Sequence, residues 1–187
     1  MRPIRQGLVL LAAITALAGC EKLDGKVTAG GTLNSLGGNG KAVFTVNAQR
    51  CNGKPVKGHA NFQDKTAIDW QAQGGVSFNA RVTDAGLCGD DIPLDDGIPV
   101  CDLDCGPGQY QVDFDYRSTN PALPGEGSGI VCLMDTGEGV NRSYDTHGII
   151  NLLRIDSGPF SGYANMGSMS GNVQAHDCPA ADEDGNS

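Results

Sequence analysis

Between residues 110 and 117 the chain alternates without a break. Tyr110, Val112, Phe114 and Tyr116 interleave with Gln111, Asp113, Asp115 and Arg117. Successive strand side chains point to opposite faces, so this stretch sets an apolar face against a wet one. The same period recurs in KAVFTVNAQR, where Ala42, Phe44, Val46 and Ala48 share a face. It recurs again in GVSFNARVTD, through Val76, Phe78, Ala80 and Val82. Gly-rich breaks separate the runs: GGNG at 37–40, NGKP at 52–55, QGG at 73–75 and PGEGSG at 124–129. Asn52-Gly53 just after a strand is a hairpin signal. Beyond residue 20 no segment sustains the i, i+3, i+4, i+7 spacing of an amphipathic helix. Further strands are predicted at 29–35, 56–63, 67–72, 128–135, 148–156, 159–166 and 169–177. The expected fold class is all-β, a single antiparallel β-barrel or β-sandwich of about 9–10 short strands. The large rings of Phe44, Phe78, Tyr110, Phe114 and Tyr116 are expected to fill its interior. Gly162 and Gly171 fall inside strand patterns and are expected to mark bulges or kinks.

Seven cysteines punctuate this pattern. Cys20 stands apart, closing the run LAGC. Before it come Arg2 and Arg5, an almost wholly apolar stretch from Gly7 to Ala18, and small residues at 18–19. That is a charged n-region, a short h-region and a processing site. The apolar stretch is shorter than the roughly 20 residues that span a bilayer. The pattern resembles the lipobox of bacterial lipoproteins. The resemblance implies cleavage before Cys20 and acylation of its sulfur by fatty chains such as palmitate, which anchors the protein in a lipid bilayer. Glu21 follows, where Asp is the usual inner-membrane retention signal. The expected location is therefore the outer membrane of a bacterial cell envelope, on its periplasmic face or the cell surface.

The resulting organisation is a signal peptide at 1–19, a lipidated Cys and tether at 20–30, a β domain at 31–178 and a disordered acidic tail at 179–187. Losing residues 1–19 removes two arginines and no acid, which takes the net charge from −9 to −11. Such a chain is no nucleic-acid binder, because phosphate contacts require Lys and Arg. Six cysteines remain: Cys51, Cys88, Cys101, Cys105, Cys132 and Cys178. An even number in an exported chain is the signature of disulfides, although spacing leaves the pairing open. No CxxC occurs, and no His lies near Cys101 and Cys105.

Two stretches carry a second resemblance. Residues 30–64 contain Gly30 and Gly31, then Gly40, Lys41, Ala42 and Phe44, then Lys54-Pro55, then Gly58, His59, Phe62 and Asp64. Residues 161–176 close with Gly171, Val173 and His176. These resemble the opening and close of the post-COAP domain family. The family implies a compact, exported, all-β domain and no established molecular activity. The match covers the ends. The Cys- and Asp-rich insertion at 85–107 departs from the family's pattern.

That insertion holds Asp90, Asp91, Asp95, Asp96, Asp102 and Asp104 between Cys88 and Cys105. Six crowded carboxylates need either solvent screening or a hard cation. Ca²⁺ takes six to eight oxygens from irregular loops, so the loop is a candidate Ca²⁺ site. The spacing is not that of an EF-hand, and no Glu closes it. His59 and His176 lie on predicted strands near the two ends of the domain. If the sheet closes they approach each other, and with Asp64 they make a zinc-like ligand set; His147 is the third histidine. Asp113 and Asp115 share a wet strand face, the pattern of paired carboxylates in a glycosidase. Trp70, flanked by polar residues, is the candidate exposed aromatic for a sugar ligand, whereas Tyr110 and Tyr116 share a core face with Phe114. No G-x-S-x-G occurs, and GSMSG puts Met169 at the nucleophile position. The functional expectation is a non-catalytic, membrane-anchored structural or interaction module, with an envelope protein or glycan as its partner. The alternatives are Ca²⁺-dependent ligand or glycan binding through the 89–104 loop, and an envelope hydrolase lacking a recognisable motif.

Overall fold

The computed structural model describes residues 25–88, 105–106, 108–136 and 148–178. Nine strands account for most of them: β1 (Gly25–Asn34), β2 (Lys41–Arg50), β3 (Lys57–Asp64), β4 (Val76–Leu87), β5 (Tyr110–Ser118), β6 (Glu126–Met134), β7 (Ile149–Ile155), β8 (Ala164–Ser168) and β9 (Ser170–His176). All neighbours are antiparallel. The order is β8-β7-β6-β5-β4-β3-β2-β1-β9, so the sheet is a meander until its last step. β8 and β9 stand at opposite ends of that order, yet only Met169 separates them in the chain. The final strand thus pairs first with β7 and then, past Met169, with β1. That change of neighbour curls the sheet into a nearly closed barrel. Met169 is wholly buried, and its N–H donates to the Gly148 carbonyl at 3.1 Å.

The alternation seen in the sequence is the inside–outside pattern of this wall. Phe44, Phe62 and Phe78 are direct partners across β2, β3 and β4. Their rings meet at 6.5 and 5.5 Å, and the chain of rings continues through Phe114, Tyr116 and Phe160. Each of these six residues is at most 2% exposed, and burying one such side chain stabilises by about 1.5–3 kcal/mol. The interior is packed with side chains.

Several sequence expectations shift. β1 begins at Gly25, so the tether after Cys20 ends before residue 30. Residues 67–72 form no strand. Turns and a short 3₁₀ segment (Gln71–Gln73) occupy them, ended by Gly74 in the left-handed region. The strand predicted at 159–166 starts at Ala164, because 159–162 form the tight turn into it. Bulges occur at Val82/Asp84, Cys132/Leu133 and Ile150/Leu153, not at the two glycines. Asn52 and Gly53, at φ 55° and 65°, make the expected turn, closed by Lys54 N–H to the Cys51 carbonyl at 3.0 Å.

Gly171 has a different use. It faces Gly31 across the β1–β9 seam. A Cβ at Gly171 would lie 2.1 Å from the Gly30 carbonyl oxygen and 2.6 Å from the Gly31 Cα. The closing strand can therefore approach β1 only without a side chain there. Gly171→Val is expected to destabilise the protein by about 3 kcal/mol through overpacking. A thermal melt followed by circular dichroism checks this; an unchanged Tm contradicts the seam.

Candidate functional site

The meander sorts the loops onto two rims. One rim carries the β1–β2, β3–β4, β5–β6 and β7–β8 turns. The other carries Gly25, the β2–β3 turn, the flanks of the 89–104 and 137–147 segments, and the end of β9. We call the first the turn rim and the second the terminal rim.

A buried polar cluster locks the turn rim. Asp64 ends β3 fully buried. Its Oδ2 accepts from Ser35 Oγ at 2.6 Å and from the Tyr163 hydroxyl at 2.8 Å. Its Oδ1 accepts from the Thr66 N–H at 2.9 Å and the Thr66 hydroxyl at 3.1 Å. Asn165 Nδ2 donates to Tyr163 and to the Asn34 carbonyl, both at 3.1 Å. Four turns and strands thus meet at one carboxylate. A buried carboxylate costs dearly unless satisfied, and this one accepts four hydrogen bonds. Burial pushes the Tyr163 phenol well above its ordinary range, and the adjacent Asp64 carboxylate pushes it further. The cluster is sealed from solvent and serves as a structural lock.

Trp70 closes the same rim. Its indole N–H donates to the Pro159 carbonyl at 3.3 Å, and its ring stands edge-on to Tyr163 at 5.6 Å. It is half-buried against the core, so its ring seals a turn where the sequence suggested a free sugar platform.

The zinc-like set does not assemble. β2 and β1 separate His59 on β3 from His176 on β9, three strand spacings or about 14 Å. Asp64 points inward while His59 points out. Among the described residues no group of three His, Cys, Asp or Glu is placed to hold a metal. His147 and all six insertion aspartates (Asp90, Asp91, Asp95, Asp96, Asp102 and Asp104) lie outside the described residues, as do Cys20 and Cys101.

The cysteines that are described are cross-linked. Cys51–Cys178 ties the β2–β3 turn to the residues after β9, and Cys105–Cys132 ties the end of the insertion to β6. Cys88 is also disulfide-bonded. Cys88, Cys105, Cys132 and Ile130 form a second buried cluster on the outside of the barrel, with Leu152 against it.

Asp113 and Asp115 point outward on β5. Asp113 accepts from Gln111 Nε2 at 3.1 and 3.2 Å, and Asp115 lies opposite Arg81. Beside them an open groove of about 840 Å³ crosses β4, β5 and β6, lined by Arg81, Asp115, Arg117, Glu126, Ser128 and Ser157 among others. Arg117 clasps Glu126 through Nε at 3.0 Å and Nη2 at 2.6 Å. Both side chains are exposed, so the pair contributes little to stability.

Charge is distributed unevenly. The described residues hold nine Lys or Arg and nine Asp or Glu, so the net −9 of the chain resides wholly outside them. Those segments all join the barrel at the terminal rim.

No protein-family model matches the chain, and no curated protein and no solved structure matches it.

The lock generates a pH dependence. The folded-state pKa of Tyr163 lies above the unfolded value of 10.0. Its contribution is therefore fully present below pH 10.0 and lost as pH rises through the folded value. Tyr163→Phe is expected to lower stability at pH 7 by about 1–3 kcal/mol, through the hydrogen bonds it removes. It is also expected to flatten the fall in Tm above pH 10.0. Melts of both proteins from neutral to alkaline pH check the pair of effects.

Proposed function

We propose that this chain is an envelope lipoprotein, anchored in a bilayer through Cys20, whose barrel is a non-catalytic interaction module. The LAGC leader pattern supports the anchor. Three further facts agree with it. The disulfides suit an oxidising compartment. The outward strand positions are rich in Asn, Gln, Thr and Lys while the inside is apolar, the inverse of a wall that faces lipid. The first strand begins five residues after Cys20, a reach of at most about 18 Å.

The last fact carries the geometry. An anchor at Cys20 holds the terminal rim near the membrane surface and turns the other rim away. Because the interior is filled, partners meet the outer wall or the rims. An all-β barrel also agrees with the resemblance to the post-COAP domain family.

The candidate Ca²⁺ loop keeps one specific observation in its favour. Its flanking Cys88 and Cys105 are both disulfide-bonded, and Cys105 is pinned to β6. That fixes the ends of a segment holding six Asp.

Two outcomes are expected. Cells grown with radiolabelled palmitate label the protein, and Cys20→Ser abolishes the label; a label that is absent, or that persists in the variant, contradicts the anchor. A loop that takes Ca²⁺ gives a Tm that rises by several degrees on adding Ca²⁺ and falls back with EDTA. A Tm indifferent to both removes the calcium alternative.

A further inference from the structure

The barrel wall is chemically two-sided. The outward side chains of β9, β1, β2, β3 and the part of β4 before its bulge form one continuous face. None of them is Asp or Glu, although acids outnumber Lys and Arg by 22 to 13 in the chain. The described acids are Asp64 inside, Asp69 in a turn, Asp84 beyond the bulge, Asp113, Asp115, Glu126 and Asp156 on the β5–β8 side, and Asp135 and Asp177 at the terminal end of β9, where Asp135 accepts from the Ala175 N–H at 2.9 Å. The face carries Lys26, Lys41, Lys57 and Arg81. Lys41 bonds Asn34 Oδ1 at 2.7 Å, while Lys26, Lys57 and Arg81 form no ion pair among the described residues.

Amides and hydroxyls fill the space between these cations. Two shallow grooves of about 310 and 230 Å³ lie on the face, the first bordered by Thr45, Asn61, Gln63 and Asn79, the second by Thr28 and Gly30. The larger groove of the β4–β6 wall adjoins them at Asn79 and Arg81. Asn47, Gln63 and Asn79 spend no side-chain hydrogen bond among the described residues. Five adjacent strands make the face roughly 19 Å wide.

We propose that this face is the docking surface for an extended, carboxylated polysaccharide. Asn, Gln and Thr both donate and accept, as sugar hydroxyls do. Ammonium and guanidinium groups outside ion pairs match the carboxylates, and with no acid at the outward positions of these strands like-charge repulsion is confined to the edges, as where Asp115 lies opposite Arg81. A nucleic acid fits less well, because no outward position of the face holds Phe, Tyr or Trp for a base to stack on, the rings there being the imidazoles of His59 and His176. The proposal rests on the reading of the barrel as an interaction module and names its partner. It needs neither Ca²⁺ nor the 89–104 loop.

The test titrates the full chain, purified in detergent, with a fluorescent oligogalacturonate, against neutral maltohexaose and a single-stranded DNA of similar charge. Saturable binding of the uronate is expected, at least about tenfold tighter than either control and weakening as salt is raised. Lys57→Glu with Arg81→Glu is expected to weaken it by about tenfold or more. Asn61→Ala with Asn79→Ala should weaken it several-fold while leaving its salt dependence unchanged. All four positions are exposed, and unchanged melts verify folding. Absence of saturable binding, equal binding of either control, or indifference to both pairs of substitutions overturns the proposal. Palmitate labelling is scored separately. A labelled protein that ignores the uronate sinks the face and spares the anchor; an unlabelled protein that binds it does the reverse.

Discussion

The structure depends on its last strand finding its first. A meander of antiparallel strands leaves an unpaired edge at each end, and exposed edges invite pairing with other chains. Here the chain solves the problem by bending at one buried residue, Met169, and handing the strand from β7 to β1. The approach is close enough that Gly31 and Gly171 face each other in register. Everything else follows from that closure. The apolar faces become an interior, the turns gather on one rim, and both ends of the described barrel gather on the other.

The two rims are held by different physics. At the turn rim a single buried carboxylate, Asp64, accepts hydrogen bonds from Ser35, Thr66 and Tyr163, so loops distant in sequence are fixed by directional contacts. At the terminal rim the work is covalent. Cys51–Cys178 spans 127 residues of sequence, and Cys105–Cys132 fastens the end of the acidic insertion. Both cross-links stand at the rim where the acidic segments join the barrel. The described barrel body is neutral, and the acidic segments join it at that one rim.

Much of this was legible in the sequence because period-two patterning needs no long-range knowledge. Phe44, Phe78 and Phe114 announced a core face, and Asn52-Gly53 announced a turn. The segment at 67–72 misled because its apolar residues read as a strand, whereas two glycines of positive φ, Gly74 and Gly75, commit the end of that connection to a turn. Bulges such as Val82/Asp84 were invisible, since an extra residue in one strand depends on its partner. The Asp64 lock did carry a signal. Asp64 continues the inward phase of Ala60 and Phe62, and an acid in a core phase points to a satisfied buried carboxylate. Pairing among the cysteines was not readable, because it depends on where β9 returns.

That return is the central claim, and mapping the disulfides of the non-reduced protein by mass spectrometry tests it most directly. Cys178 reaches Cys51 only if the last strand comes home beside β1 and β2. The account predicts cross-linked peptides joining Cys51 to Cys178 and Cys105 to Cys132. Cys51 or Cys178 found as a free thiol, or joined to any other cysteine, would contradict the closed barrel.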